Sequence, residues 1–220
     1  MKYQFIASLL LIGSIATYAV TKKEHRTLLI TGCARSGTTY IAKVLQQSGL
    51  EIGHEKMQRD GVAAWQFAAN PVGVKRGVNL NKTEFDHTFH QVRHPLKVIS
   101  SVFVTENRHS WNYILKQVPE IKIQDSHLVK CAKYWYYWNL KAEQKAEWTY
   151  RIEDLDKIWD TFQERLGEKI AKNALALVPK NSNTAGSKVK EFTWEDLKRE
   201  LPSDLFEKIQ ALAQKYGYTL

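Results

Sequence analysis

The chain has 220 residues, 44% hydrophobic and 25% charged, with a formal net charge of +9. That length suffices for one α/β domain with a real core, and the ordinary balance excludes a disordered or fibrous chain. Two cysteines exclude a disulfide framework. With no zinc-knuckle spacing, RNA-binding aromatic motif or base-reading basic helix, the positive balance points away from nucleic acid and toward a small polyanion, an anionic surface or an acidic glycan.

Phe5 to Val20 is an uncharged, largely apolar run, preceded by Lys2 and followed by Lys22, Lys23, His25 and Arg26. Its length lies between a signal-peptide core and a full membrane span, and Thr17-Tyr18-Ala19 is not a convincing small-x-small cleavage site. The chain therefore reads as a hydrophobic anchor or leader over residues 1–24 and a single domain over 25–220. The heavier positive charge follows the run, so the positive-inside bias expects a membrane-associated protein, with one transmembrane helix and a cytoplasmic domain. The alternatives are a lumenal domain, which the lack of a stem before the first strand disfavours, and a cleaved or mis-started leader.

Leu28 to Thr31 reads as a buried strand, Gly32 to Gly37 as a tight loop, and Thr39 to Gly49 as a helix opening at Thr38, with Ile41, Val44 and Leu45 on its apolar face and Gly49 at its C-cap. A glycine-bounded loop at a helix N-terminus offers successive N–H groups to an anion. The spacing G-x-x-x-x-G is that of a phosphate-binding loop, but Thr38 and Thr39 stand where a nucleoside-triphosphate loop carries Lys and then Ser or Thr. The cation has moved inside the loop, as Arg35. Cys33, within the loop, reads as a small buried residue rather than a nucleophile.

Leu50 to Ile52 is a short second strand. Behind it, His54 and Glu55 in Glu51-Ile52-Gly53-His54-Glu55-Lys56 fall on the carboxyl rim of the sheet, where ligands of such folds sit. Asn70 to Lys82, with Pro71, Gly73 and Gly77, is loop-rich. Phe85 to Val92 reads as a strand feeding Arg93-His94-Pro95, with Pro95 in the first turn of a helix and Ser101 on its second. A forked guanidinium on Arg93 and the Ser101 hydroxyl can converge on one anion. Asp125 to Trp148 is the longest helical pattern. Its run Tyr134-Trp135-Tyr136-Tyr137-Trp138 goes all round the helix, to pack the core or to line an acceptor pocket with Trp135 or Trp138. Glu153 and Asp154 read as first-turn acids of a helix. Pro179 to Lys190 is polar, Thr193 caps a helix, and Ser203 to Tyr216 is a closing helix.

Arg35-Ser36-Gly37-Thr38-Thr39 resembles the 5′-phosphosulfate loop of sulfotransferases that use 3′-phosphoadenosine-5′-phosphosulfate (PAPS). Arg93, Pro95 and Ser101 have the spacing with which that family binds the cofactor's 3′-phosphate, although His94 stands where Asn or Asp is frequent. Tyr150-Arg151-Ile152-Glu153-Asp154-Leu155 is similar to a late strand ending of many members. The three elements span residues 28–155 in the family's order. The resemblance implies a three-layer P-loop-type α/β fold with a central, mostly parallel sheet flanked by helices. It implies in-line sulfonate transfer from PAPS to an acceptor hydroxyl, without a metal. Arg35, Ser36, Gly37, Thr38 and Thr39 would cradle the leaving 5′-phosphate, Arg93 and Ser101 would hold the 3′-phosphate, and Lys188 would reach a phosphate from the late polar segment. Glu55 maps to the catalytic base of tyrosylprotein-type members, with His54 as the second candidate base. His87, His90 and His109 are weaker candidates.

The acceptor is expected to be a carbohydrate hydroxyl first, a tyrosine or small alcohol second, bordered by residues 54–69. A lumenal placement is common for carbohydrate and protein sulfotransferases. Two other functions compete: an atypical P-loop nucleotide kinase needing magnesium, which the missing Lys at position 38 disfavours, and a non-catalytic PAP- or glycan-binding relative, for which Glu55 would be dispensable.

Overall fold

A computed structural model describes residues 23–69, 82–179 and 190–220. Residues 180–189 of the expected polar segment, Lys188 among them, the apolar run Phe5 to Val20, and residues 70–81 of the expected loop lie outside the described residues.

The elements in chain order are β1 (Glu24–Thr31), α1 (Thr38–Gln47), β2 (Ile52–His54), β3 (Gly61–Ala63), β4 (Thr83–Val92), α2 (Pro95–Thr105), α3 (Arg108–Gln117), α4 (His127–Glu143), β5 (Trp148–Arg151), α5 (Trp159–Leu166), α6 (Ala174–Leu177), α7 (Trp194–Glu200) and α8 (Ser203–Lys215), with single 3₁₀ turns at Trp65–Ala68 and Ile152–Asp154. The strands form one sheet in the order β2-β3-β1-β4-β5, and every pairing is parallel. The chain leaves β1 toward β2 and β3, then returns to β4 on the other side. That reversal opens a crevice at the carboxyl ends of the central strands.

Parallel sheets need both faces covered, and two apolar clusters do this. Leu28 and Ile30 of β1 and Phe89 of β4 meet Ile41, Val44 and Leu45 of α1 and Trp159 and Phe162 of α5. On the other face Val92 meets Val98, Ile99 and Val102 of α2, Ile114 of α3, Trp135 and Trp138 of α4, and Leu205 and Ile209 of α8. The molecule is thus an α/β protein in which a five-stranded parallel sheet lies between helices, as expected at that level.

Several boundaries differ from the sequence-based expectations, for physical reasons. The second strand is shifted to Ile52–His54 because β3 pairs Ile52 with Gly61 and His54 with Ala63. The long helical pattern stops at Glu143, and Trp148 opens β5, paired with Phe89. The aromatic run resolves into core: Tyr134, Trp135 and Trp138 are fully buried, and neither tryptophan lines the cleft described below. Thr193 caps α7 in a reciprocal capping box with Asp196. The membrane placement must be corrected: among the described residues no helix is long and apolar enough to cross a membrane.

Candidate functional site

A cleft of about 710 Å³ opens at the carboxyl edge of the sheet. It is lined by Arg35 and Gly37 from the β1–α1 turn, by Thr38 and Thr39 at the start of α1, by His54 and Glu55 at the end of β2, by Trp65 and Gln66, by Arg93 and Lys97 around the start of α2, by Glu106 and Asn107 between α2 and α3, by His109 in the first turn of α3, and by Glu153 and Asp156 after β5. Its volume suits a nucleotide-sized ligand, roughly 300–1,000 Å³ being usual for ligand pockets.

The β1–α1 turn is held from beneath. Its Ala34 N–H donates to the Tyr134 hydroxyl (2.8 Å), Gln91 Nε2 donates to the Ser36 carbonyl (2.7 Å), and Arg93 Nη1 donates to the Arg35 carbonyl (3.0 Å). The Ser36 hydroxyl turns inward to the Cys33 carbonyl (2.7 Å). Glycine is required at position 32: a Cβ there would stand 2.2 Å from the Gln91 carbonyl oxygen. Burial pushes the Cys33 thiol well up, so it is an inert packing residue.

Two non-glycine residues among those described have left-handed backbone, Arg35 (φ 70) and Glu55 (φ 54). Such conformations concentrate at functional sites because surrounding contacts must impose them. Arg35 Nε donates to Ser101 Oγ (3.0 Å). Glu55 Oε1 accepts the Trp65 indole N–H (2.9 Å). His54 Nε2 lies 3.3 Å from Thr38 Oγ1 and 3.1 Å from Thr39 Oγ1, which ties it to the helix N-terminus.

Pro95 occupies the first position of α2. Burial lowers the Arg93 guanidinium, partly offset by the Glu153 carboxylate beside it. Glu153 accepts the His94 N–H (2.9 Å) and the Tyr218 hydroxyl (3.0 Å), so both of its oxygens are engaged by donors.

Of the sequence-predicted site residues, Arg35, Gly37, Thr38, Thr39, His54, Glu55 and Arg93 share this cleft. Ser36 and Ser101 are buried: the Ser36 hydroxyl folds back within the turn, and the Ser101 hydroxyl accepts from Arg35 Nε. His109 also lines the cleft. His90 is buried against Asn139 (3.1 Å) and Thr149 (3.2 Å), and burial lowers its pKa to about 4.

Sequence reasoning gave no role to the Gln91 and Tyr150 side chains, placed Trp65 only in the stretch bordering the acceptor and Tyr134 only in the aromatic run, and read Glu153 only as a first-turn acid. Gln91 was within reach, as a polar residue interrupting a strand pattern fated for burial; the others carry no local signal. No family model matches the chain, and no curated protein matches it.

Proposed function

We propose that this chain is a PAPS-dependent sulfotransferase with a P-loop-type fold, a single catalytic domain over residues 25–220, and an acceptor hydroxyl entering past Trp65, Asn107 and His109, a carbohydrate first and a tyrosine or small alcohol second. The observation that carries the reading is the meeting of Arg35, Arg93 and Glu55 in one cleft at the carboxyl rim of the sheet. The contact between Arg93 and the Arg35 carbonyl puts the second motif directly against the first. The turn also suits one phosphate better than a wrapped triphosphate. Its Ala34 and Ser36 N–H groups are bonded within the protein, and no lysine follows Gly37.

PAPS would supply a sulfonate on a good leaving group. Around it, the N-terminus of α1, with Thr38 and Thr39, favours the departing 5′-phosphate through helix-end N–H groups and hydroxyls. Arg35 stabilises negative charge growing on the bridging oxygen as the sulfur–oxygen bond breaks. Arg93 binds the 3′-phosphate. Glu55, steadied by the Trp65 indole, accepts the acceptor's proton as its oxygen bonds to sulfur. His54 is the weaker base because its ring is engaged with Thr38 and Thr39; it orients those hydroxyls instead. The fit has one cost. Glu153 lies beside Arg93, and its charge is moderated by the His94 N–H and Tyr218 O–H.

Thermal melting of the full chain with the product PAP, in chelator, tests the reading. Millimolar PAP raises the melting temperature without magnesium. A chain stabilised by ATP with magnesium, and not by PAP, overturns it.

A further inference from the structure

Gln91 lies at the centre of a buried hydrogen-bond relay. The side chain is fully buried. Its Oε1 accepts the Tyr150 hydroxyl (2.7 Å), and its Nε2 donates to the Ser36 carbonyl (2.7 Å). The polarity of this relay has one solution. A carbonyl only accepts, so the amide must turn its NH₂ toward Ser36, its oxygen must face Tyr150, and the phenol must donate. Burial pushes the Tyr150 phenol well up, so it keeps its proton.

The consequence lies across the next peptide bond. None of the described peptide bonds is cis, and in a trans peptide the N–H is directed opposite to the C=O. Drawing the Ser36 carbonyl down toward β4 therefore turns the Gly37 N–H away from the core. Gly37 lines the cleft and precedes the first residue of α1, with φ 94. A side chain at 37 would be strained at that φ and would approach Ile152 and the Gln91 amide within 3.4 Å.

We propose that Gln91 and Tyr150 are positioning residues that aim the Gly37 N–H at the leaving 5′-phosphate. This rests on the sulfotransferase reading and goes beyond it. The strand β4 that ends in the 3′-phosphate cation also sets, through Gln91, the geometry of the 5′-phosphate cradle. Tyr150 couples β5 to the same peptide. Neither residue touches ligand, since both lie beneath the turn.

The test follows the Gly37 amide in the ¹⁵N-labelled full chain during titration with PAP, alongside calorimetry, for the natural chain, Gln91→Met and Tyr150→Phe. Melting curves establish that each variant is folded. In the natural chain the Gly37 amide proton moves downfield on binding. In Gln91→Met that movement is lost and the PAP Kd rises roughly tenfold, the worth of a buried hydrogen bond. Tyr150→Phe gives the same change at smaller amplitude, roughly threefold. In both, kcat falls while the KM for acceptor is unchanged, a split that general loosening of the fold would not produce.

Folded variants that keep the natural Gly37 response and affinity overturn the proposal. So does a natural chain that binds PAP with Gly37 silent; both results leave the sulfotransferase reading standing. A natural chain that does not bind PAP overturns that reading and this proposal with it. If Gln91→Met does not fold, Tyr150→Phe, which keeps the ring, decides alone.

Discussion

The turns after β1 and after β2 both hold a non-glycine residue in left-handed backbone, at Arg35 and at Glu55, yet they are supported in opposite ways. The β1–α1 turn is gripped from afar, by Gln91 and Arg93 at the end of β4, by Tyr134 on α4, and by Ser101 on α2 through the Arg35 side chain. The β2–β3 turn is also held by its own backbone: Glu55 N–H to the Ala63 carbonyl, Gln58 N–H to Gly61, and Asp60 N–H to Glu51, each 3.1 Å. A parallel pair is usually joined by a dozen residues or more; here residues 55–60 suffice because those local bonds reverse the chain. The difference separates two duties. On the proposed reading the anion cradle is braced by several elements, whereas the proposed base rides on a turn closed by its own backbone bonds.

The largest expected effect breaks the comparison at its lightly supported side. Glu55→Gln keeps the shape and the acceptor atom for Trp65 but removes the base. Turnover in a labelled-PAPS transfer assay falls about 10³-fold, within the span of general-base catalysis. The melting temperature moves by no more than about 3 °C, since a local isosteric change costs well under 1 kcal/mol. Turnover within threefold of the natural chain removes Glu55 from the chemistry and shifts the role of base to His54, in the same cleft.

The braced turn was also the more legible one. Gly32 and Gly37 announce themselves because close approach and positive φ exclude other residues, and Pro95 because it fits a first helical turn; steric requirements of this kind are written locally. Arg35 could be placed in the loop from its spacing alone, but the Tyr134, Gln91 and Arg93 bonds that brace it span 100, 55 and 58 residues of chain, and no periodicity encodes such meetings. Glu55 was located at the rim, while β3 escaped notice: Gly61-Val62-Ala63 is too short to show a pattern, and pairing with β1 and β2 makes it a strand. Trp148 was drawn into the preceding helix because an aromatic residue suits either element, and only Phe89 across the sheet decides. Ser101 falls on the expected helix, and its bond to Arg35, 66 residues away in the chain, could not be read because it depends on where the β1–α1 turn lies.

Next in size are two arginines that touch at the braced turn and should part in their effects. Arg35→Ala lowers kcat about 10²-fold, the usual cost of one donor to developing charge, while PAP affinity changes less. Arg93→Ala weakens PAP binding by about 2 kcal/mol, roughly thirtyfold, as expected of a charge-assisted bond with little solvent around it. It lowers kcat far less. Calorimetry and saturation kinetics separate the two. Equal losses of affinity with no distinct rate effect would mean that the arginines form a single anion site, and the division of labour between them would fall.

The smallest effect calibrates the others from outside both turns. Thr193 caps α7 by accepting the Asp196 N–H (3.1 Å), while Asp196 Oδ2 accepts the Thr193 N–H (3.0 Å). Thr193→Ala removes one arm of that exchange, at a cost of about 1 kcal/mol. For a chain of this length that lowers the melting temperature by roughly 2–4 °C. Thr193 does not line the cleft, so kcat and the PAP Kd stay unchanged. The variant thereby sets how much stability can be lost without a functional signature. A fall in kcat as large as that of Arg35→Ala would mean that any loosening of the fold disables the cleft, and the losses at Arg35 and Glu55 would no longer report chemistry.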